Sequence, residues 1–365
     1  MYSPKLLYIT NGICGSGGLE RVLATKTFWF AEKMGYQVHI LAINEEPDKI
    51  PFFEFSSKVN RRNLPLSGNA LEYLRRYKAG LKKAVSDIKP DVIIVCDDGL
   101  KGFYVPKILN TRIPIIYERH ASVNISTQED VKSQFVKKIK HFLMQRRVKD
   151  FTKFVVLTKG NLKEWGSAAN LCVIPNPVSF YPEEISKLDQ NKVIAVGSQG
   201  FNKGTDLLLQ IWQQVEAEFP HWSLEIYGKP HPENIFEKQA KELQLKNVYF
   251  YPATSHILEK YLESSVFVLT SRSEGFGMVL IEAMSCGLPV VSFDCPHGPA
   301  DIITDGEDGL LVEDQNVDDF EEKLKRLLFD FDLRRKMGEE ARKKALEYLP
   351  ENILKTWDNL FKTMR

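Results

Sequence analysis

Short β-branched runs recur along this chain with helical patterns between them, and they recur in two series. KLLYIT from residue 5, QVHILAI from 37, DVIIVC from 91, IPIIYE from 113 and FVVLT from 154 make the first. KVIAVGS from 192, SLEIYG from 223, VYFYPA from 248, VFVLTS from 266 and LPVVSF from 288 make the second. Runs apolar on both faces, spaced by helices, are what a parallel sheet covered on both sides requires. No residue-level repeat links the two series, so the pattern predicts two sheets of one type and not a solenoid. The length, 365 residues, suits two cores better than one. The stretch NPVSFYPEEISKLDQN, 176–191, carries prolines and charges with little periodicity and is expected to be the hinge. The expected architecture is therefore α/β, with two Rossmann-like, doubly wound parallel-sheet domains, residues 1–180 and 190–349, facing a central cleft. Pro350 breaks the helical end of the chain, so residues 350–365 are expected to turn away and pack back on the first domain.

Composition narrows the function classes. The balance of 49 basic against 48 acidic residues, net +1, gives no global attraction to nucleic acid or membrane. Five scattered cysteines without C-x-x-C spacing indicate neither a disulfide framework nor a zinc site. No apolar run approaches the roughly 18 residues needed to cross a bilayer. The start, MYSPKLLYITNG, has no signal-peptide layout, and a cytoplasmic location is expected.

The stretch SRSEGFGMVLIEAMSCGLPVV, 271–291, concentrates the chemistry. It follows a strand and contains a helix closed by Gly287 with Pro289 just beyond. Gly275 and Gly277 sit where loop meets helix, where unpaired N–H groups and the positive end of the dipole favour an anion such as phosphate. Glu274 stands on the loop and Glu282 one turn inside the helix, spaced to accept hydrogen bonds from sugar hydroxyls on either side of a diphosphate. The plainer alternative makes Glu274 a partner of the helix dipole and Glu282 a solvated side chain. Elsewhere, Lys203 precedes Gly204 and the helix DLLLQIWQQV; a cation opposes that dipole unless an anion lies between them. Gly17 and Gly18 form a second loop-to-helix junction, either another anion site or a tight turn. His120 follows the carboxyl end of a strand, where this architecture holds ligands.

Taken together, the stretch resembles the Glu-x7-Glu motif of retaining glycosyltransferases of family 4, enzymes of the GT-B fold. GSGGLERVLA at 15 is similar to the family's first glycine loop, VIPNPV at 173 to its interdomain signature and NKGTDLLLQIW at 202 to its phosphate-lysine segment. The resemblance implies that Glu274 contacts the donor sugar, Glu282 the ribose, and the backbone of Gly275, Phe276 and Gly277 the diphosphate. It assigns Lys203 to donor phosphate and His120 to the donor sugar, making His120, Lys203 and Glu274 the catalytic set. Gly17, Gly18, Gly197, Ser198, Gly228 and Arg272 complete the implied donor site. Ser198 departs from the family, which carries arginine after the glycine corresponding to Gly197; Arg272 is a cation that could replace it. The segment DCPHGPADIITDGEDGLLV at 294 resembles members using UDP-linked galactose, N-acetylgalactosamine or N-acetylglucosamine.

The implied reaction moves a hexose or N-acetylhexosamine from such a UDP-sugar to a glycan or lipid-diphosphate-linked saccharide, with retention, in surface polysaccharide or lipopolysaccharide building. No metal or other cofactor and no nucleic acid is expected, because Lys203 and helix dipoles can carry the leaving group's charge. A nucleotide-sugar epimerase of the same architecture and a non-catalytic UDP-binding module are the alternatives. VKSQFVKKIKHFLMQRRVK, 131–149, has seven basic residues and no acidic one, with Val131, Phe135, Ile139 and Phe142 or Leu143 as an apolar stripe. It is either a core-facing helix with a solvated basic face or a docking surface in which Lys137, Lys138, Lys140, Arg146 and Arg147 meet an anionic acceptor or the inner face of the membrane.

Overall fold

The structure, a computed structural model, describes residues 3–46, 49–97, 99–120, 131–166 and 168–364, without the side chains of 131–135 and 137. The described residues form two compact units: one runs to Pro177 and resumes at Pro350, and the other spans residues 178–349.

In the first unit, strands β1 (Lys5–Thr10), β2 (Gln37–Ile43), β3 (Asn60–Leu64), β4 (Val92–Cys96), β5 (Ile115–Glu118), β6 (Lys153–Val156) and β7 (Leu171–Val173) form one sheet in the order β3-β2-β1-β4-β5-β6-β7. Every pairing is parallel. Leu6, Tyr8, Val38, Ile40, Val92 and Ile94 line the core on one face, and the Gly18–Phe28 and Pro350–Lys362 helices pack there. The latter helix buries Ile353, Leu354, Trp357 and Phe361, a helical stripe. The Phe361 ring lies 5.5 Å from that of Phe30, and the Tyr36 hydroxyl donates to Asp358 at 2.5 Å.

In the second unit, β8 (Lys192–Val196), β9 (Ser223–Tyr227), β10 (Val248–Tyr251), β11 (Val266–Leu269), β12 (Val290–Asp294) and β13 (Leu310–Glu313) form a parallel sheet in the order β10-β9-β8-β11-β12-β13. The order reverses between β8 and β11, and a crevice opens beyond the carboxyl ends of two such strands. Residues 178–191, expected as a hinge, are packed onto this unit. Ser186 donates its amide to Cys286 O at 2.9 Å, Arg342 donates to Pro182 O at 2.6 Å, and Leu188 is buried.

Three strands escape the sequence pattern: β3, β7 and β13. All three are sheet edges, and β3 (NRRNL) is exposed at four of its five residues, so neither alternation nor a continuous apolar run marks it.

Candidate active site

Two loops meet at the β8/β11 crevice. After β8 come Gly197 and Ser198, a short turn at Phe201–Lys203, and the Thr205–Glu218 helix. After β11 come Ser271 to Gly277 and the Met278–Ser285 helix. The loops are stitched together: Arg272 N donates to Asn202 O at 2.9 Å, Asn202 Nδ2 to Ser273 O at 3.2 Å, and Thr270 Oγ1 to the carbonyls of Lys203 and Gly204 at 3.2 and 3.1 Å. Gly204 permits this approach. Its φ is 63°, and a Cβ there would overlap the Thr270 carbonyl, 2.8 Å from the carbonyl carbon. Gly228, just past β9, joins the same edge, with its amide donating to Tyr251 O at 3.0 Å.

Lys203 lays its stem over Gly197 and brings its ammonium 2.6 Å from Glu274 Oε1, which also accepts from Ser271 Oγ at 2.6 Å. Glu274 is 8% exposed and Lys203 28%. The amides of Gly275, Phe276 and Gly277 donate to no described residue, and Gly277, at φ 96°, begins the helix without a side-chain cap. Phe276 anchors the turn, buried with its ring 5.7 Å from that of Tyr348. Unsatisfied amides at a helix start beside a lysine are suited to an anion, and a nearly buried carboxylate is suited to hydroxyl donors. Ser198 is exposed at the rim.

Two residues expected at the donor site have protein partners in this unit. Arg272 does not replace the missing arginine: it donates to both Asp206 oxygens (2.7 and 2.6 Å) and to Phe201 O (2.6 Å), with its guanidinium 3.7 Å over the Phe201 ring. That bidentate pair uses its terminal nitrogens to brace the turn before Lys203. Glu282 is fully buried, accepting from Ser179 Oγ at 3.0 Å and Tyr261 OH at 3.4 Å. Its carboxylate meets protein hydroxyls where a ribose was expected, because the face of the helix carrying it turns into the core.

In the first unit, a glutamate lies at the Gly17–Gly18 junction. Glu20, in the first turn, lies against Gly15 and Gly17, and burial raises its carboxyl above the ordinary range. His120 belongs to a buried cluster that sequence reasoning did not anticipate. Glu118 Oε1 accepts from Lys26 Nζ at 2.5 Å, and His120 Nε2 stands 3.3 Å from the same oxygen, out of line for a hydrogen bond. Burial works to raise the Glu118 carboxyl, but Lys26 and His120 outweigh it and hold it down to about 2. Lys26, fully buried, also sits 3.7 Å over the Trp357 ring. The helical spacing of Val22, Leu23, Lys26, Thr27 and Phe30, all buried, was the available signal: Lys26 falls on the inward stripe.

Among the described residues, the ligand atoms of Cys96, Glu118 and His120 come within 4.8 Å of one another and could together hold a metal. The Lys26 ammonium already occupies Glu118 Oε1, so a divalent ion there would face a buried cation. In the basic Val131–Gln145 helix, Val136, Ile139 and Phe142 are exposed, as are Lys138, Lys140 and, just past its end, Arg146. Arg147 pairs with Asp150 at 3.2 Å. The apolar side chains at 139 and 142 thus point outward, while Met144 is buried and the His141 ring lies 5.3 Å from that of Trp165, so the helix faces the core by a different stripe; Val131, Phe135 and Lys137 lie outside the described side chains. No helix of the described residues is long and apolar enough to cross a membrane.

A family model described as glycosyl transferases group 1 matches residues 180–344. The chain is 30% identical to the amylovoran biosynthesis glycosyltransferase AmsD of Erwinia amylovora, over 98% of this chain and 99% of the relative. It is 29% identical to an uncharacterized glycosyltransferase of Haemophilus influenzae, over the same shares of the two chains. Among solved structures, a TarM variant of S. aureus in complex with Fondaparinux, alpha-GlcNAc-glycerol and UDP matches with a TM-score of 0.80 at 17% identity, covering 98% of this chain and 99% of that one. The likeness shows a shared GT-B fold.

Proposed function

The chain belongs to the glycosyl transferases group 1 family, and from that premise we propose that it is a retaining hexosyltransferase of family 4. In this reading it takes galactose, N-acetylgalactosamine or N-acetylglucosamine from a UDP-sugar and passes it to a hydroxyl of a glycan or lipid-linked saccharide in surface polysaccharide building. The observation that carries it is the trio of amides at Gly275, Phe276 and Gly277, which head a helix and donate to no described residue, beside the Lys203–Glu274 pair at 2.6 Å. The polysaccharide setting is supported by AmsD, and the nucleotide by the UDP bound, together with alpha-GlcNAc-glycerol, to the TarM variant.

In this mechanism the departing diphosphate rests on the three amides and draws Lys203 from Glu274. Lys203 stabilises the charge that grows as the glycosidic bond breaks. Glu274, released from the ammonium, accepts a hydroxyl of the transferred sugar and fixes its orientation, and His120 is assigned to the same sugar. The acceptor approaches on the face the diphosphate leaves, with leaving phosphate oxygen taking its proton. Glu282 acts through the fold, holding Ser179 and Tyr261.

The test is a panel of UDP- and GDP-sugars with a lipid-linked acceptor, reading nucleotide release and the anomeric coupling of the product by NMR, in the wild type and in Lys203→Ala and Glu274→Gln. Retained configuration from a UDP-sugar, with both variants impaired, is expected. An inverted anomer removes retention, full activity of both variants removes the site, and interconversion of UDP-sugars without acceptor makes the protein an epimerase.

The outward Val136, Ile139 and Phe142 among exposed cations support a second element, peripheral contact with an anionic membrane. Changing Lys138, Lys140, Arg146 and Arg147 to glutamine is expected to abolish sedimentation with anionic liposomes; unchanged sedimentation removes that element.

A further inference from the structure

We infer that Glu118 is a positioning residue for His120, clamped by Lys26 and by Trp357 of the Pro350–Lys362 helix, so that a helix from the far end of the chain governs how the imidazole meets the donor sugar. The inference rests on the reading above that His120 faces that sugar. The contacts form a line: the Trp357 ring, Lys26 Nζ at 3.7 Å, Glu118 Oε1 2.5 Å further on, and His120 Nε2 at 3.3 Å. The second Glu118 oxygen accepts from Cys96 Sγ at 3.6 Å, so both oxygens are held. Lys26 is 0% and Glu118 1% exposed, which makes this a fully desolvated ion pair.

Stability does not account for such a pair. Buried ion pairs replaced by apolar side chains of like volume commonly keep or gain stability, whereas a carboxylate fixed in one orientation does what an apolar side chain cannot. What it fixes here is His120. Glu118 ends β5 and His120 lies two residues on, so in extended chain their side chains share a side. With Nε2 turned to the carboxylate, Nδ1 is the ring nitrogen left for a sugar hydroxyl. Lys26 keeps the carboxylate charged in the core, and the Trp357 face keeps the ammonium where it is, through a cation–π contact suited to a desolvated cation.

The experiment separates sugar binding from nucleotide binding. Affinities for UDP-galactose, UDP-N-acetylgalactosamine, UDP-N-acetylglucosamine and UDP alone are measured by calorimetry in the wild type, His120→Ala, the Lys26→Met/Glu118→Gln variant and the combination of all three changes. His120→Ala is expected to weaken the tightest UDP-sugar about tenfold while leaving UDP unchanged, the loss of one good hydrogen bond. Lys26→Met/Glu118→Gln is expected to do the same, with no further loss in the combined variant. Additive losses, or no loss in Lys26→Met/Glu118→Gln, overturn the positioning role and leave the His120 reading standing. No effect of His120→Ala, or no preference of the wild type for any of the three sugars over UDP, overturns both. Trp357→Leu and Trp357→Phe guard against misfolding of the core variant. Trp357→Phe, which keeps a ring face, is expected to preserve sugar affinity and Trp357→Leu to lose it; equal behaviour of the two overturns the Trp357 clamp.

Discussion

Replacing Gly204 by alanine should damage stability and turnover together, while the same change at Gly200, four residues earlier, should do neither. At Gly204 the added methyl meets backbone: it would overlap the Thr270 carbonyl, inside the 3.0 Å that real Cβ atoms keep. No rotamer relieves such a clash, so the Phe201–Lys203 turn must move. The φ of 63° adds about 1 kcal/mol for a residue with a side chain. Moving the turn also weakens the Thr270 hydroxyl bonds to the Lys203 and Gly204 carbonyls, each worth about 1 kcal/mol. With the clash, the sum is about 3–5 kcal/mol, which for a domain of this size lowers the melting transition by about 10 °C. Lys203 rides on the turn, and a displacement of about 1 Å at a reacting site costs on the order of a hundredfold in rate. At Gly200 the backbone is extended, with φ −169°, and a Cβ would find only Ser198 O at 3.9 Å. Scanning calorimetry and UDP release on the two variants decide the matter. If Gly204→Ala melts and turns over like Gly200→Ala, the close approach of the two loops does not hold Lys203.

The Glu118 pair makes acid stability predictable. Its carboxyl sits at about 2 in the folded chain against an ordinary 4.5, so its stabilisation is present above pH 4.5 and is lost as the pH falls toward 2. That gap is worth about 3 kcal/mol, and urea titrations between pH 6 and pH 2.5 should show a shallower acid loss in Lys26→Met/Glu118→Gln than in the wild type; equal losses count against the pair. Glu282→Ala removes the acceptor of the Ser179 and Tyr261 hydroxyls and should cost about 1–3 kcal/mol in urea denaturation, while UDP affinity in Glu282→Gln stays near that of the wild type. A large loss of UDP affinity in Glu282→Gln would restore the carboxylate to the ribose. Asp206→Ala leaves the mostly buried Arg272 without its bidentate partner and should destabilise the protein by about 3 kcal/mol, seen as a lower urea midpoint.

Strands packed on both faces were legible because burial writes a continuous apolar run; the ten apolar runs of the two series are all strands, including the half-exposed edge strand β10 with its tyrosines and phenylalanine. β3 and β7 were not, since an edge strand need not be apolar. The Gly275–Gly277 turn and Lys203 were legible because strand, loop and helix follow one another locally there. Partnerships across the sequence were not. Arg272 reads as a free cation until Asp206, 66 residues earlier, is brought against it, and Glu282 reads as a ligand-facing acid until Ser179 and Tyr261 close over it. Lys26 was half visible: its helical register is inward, but the carboxylate that admits it lies 92 residues away.

The Pro350–Lys362 helix completes a core whose other members precede residue 178. On the ribosome, then, the amino-terminal sheet emerges first but must wait, with the seat of Trp357 and Phe361 open, while the whole of the second unit is made. The later-synthesised unit can close its own core before the earlier one is finished, so nascent chains stalled ahead of residue 350 should bind chaperones through the unfilled face beside Phe30 and Tyr36.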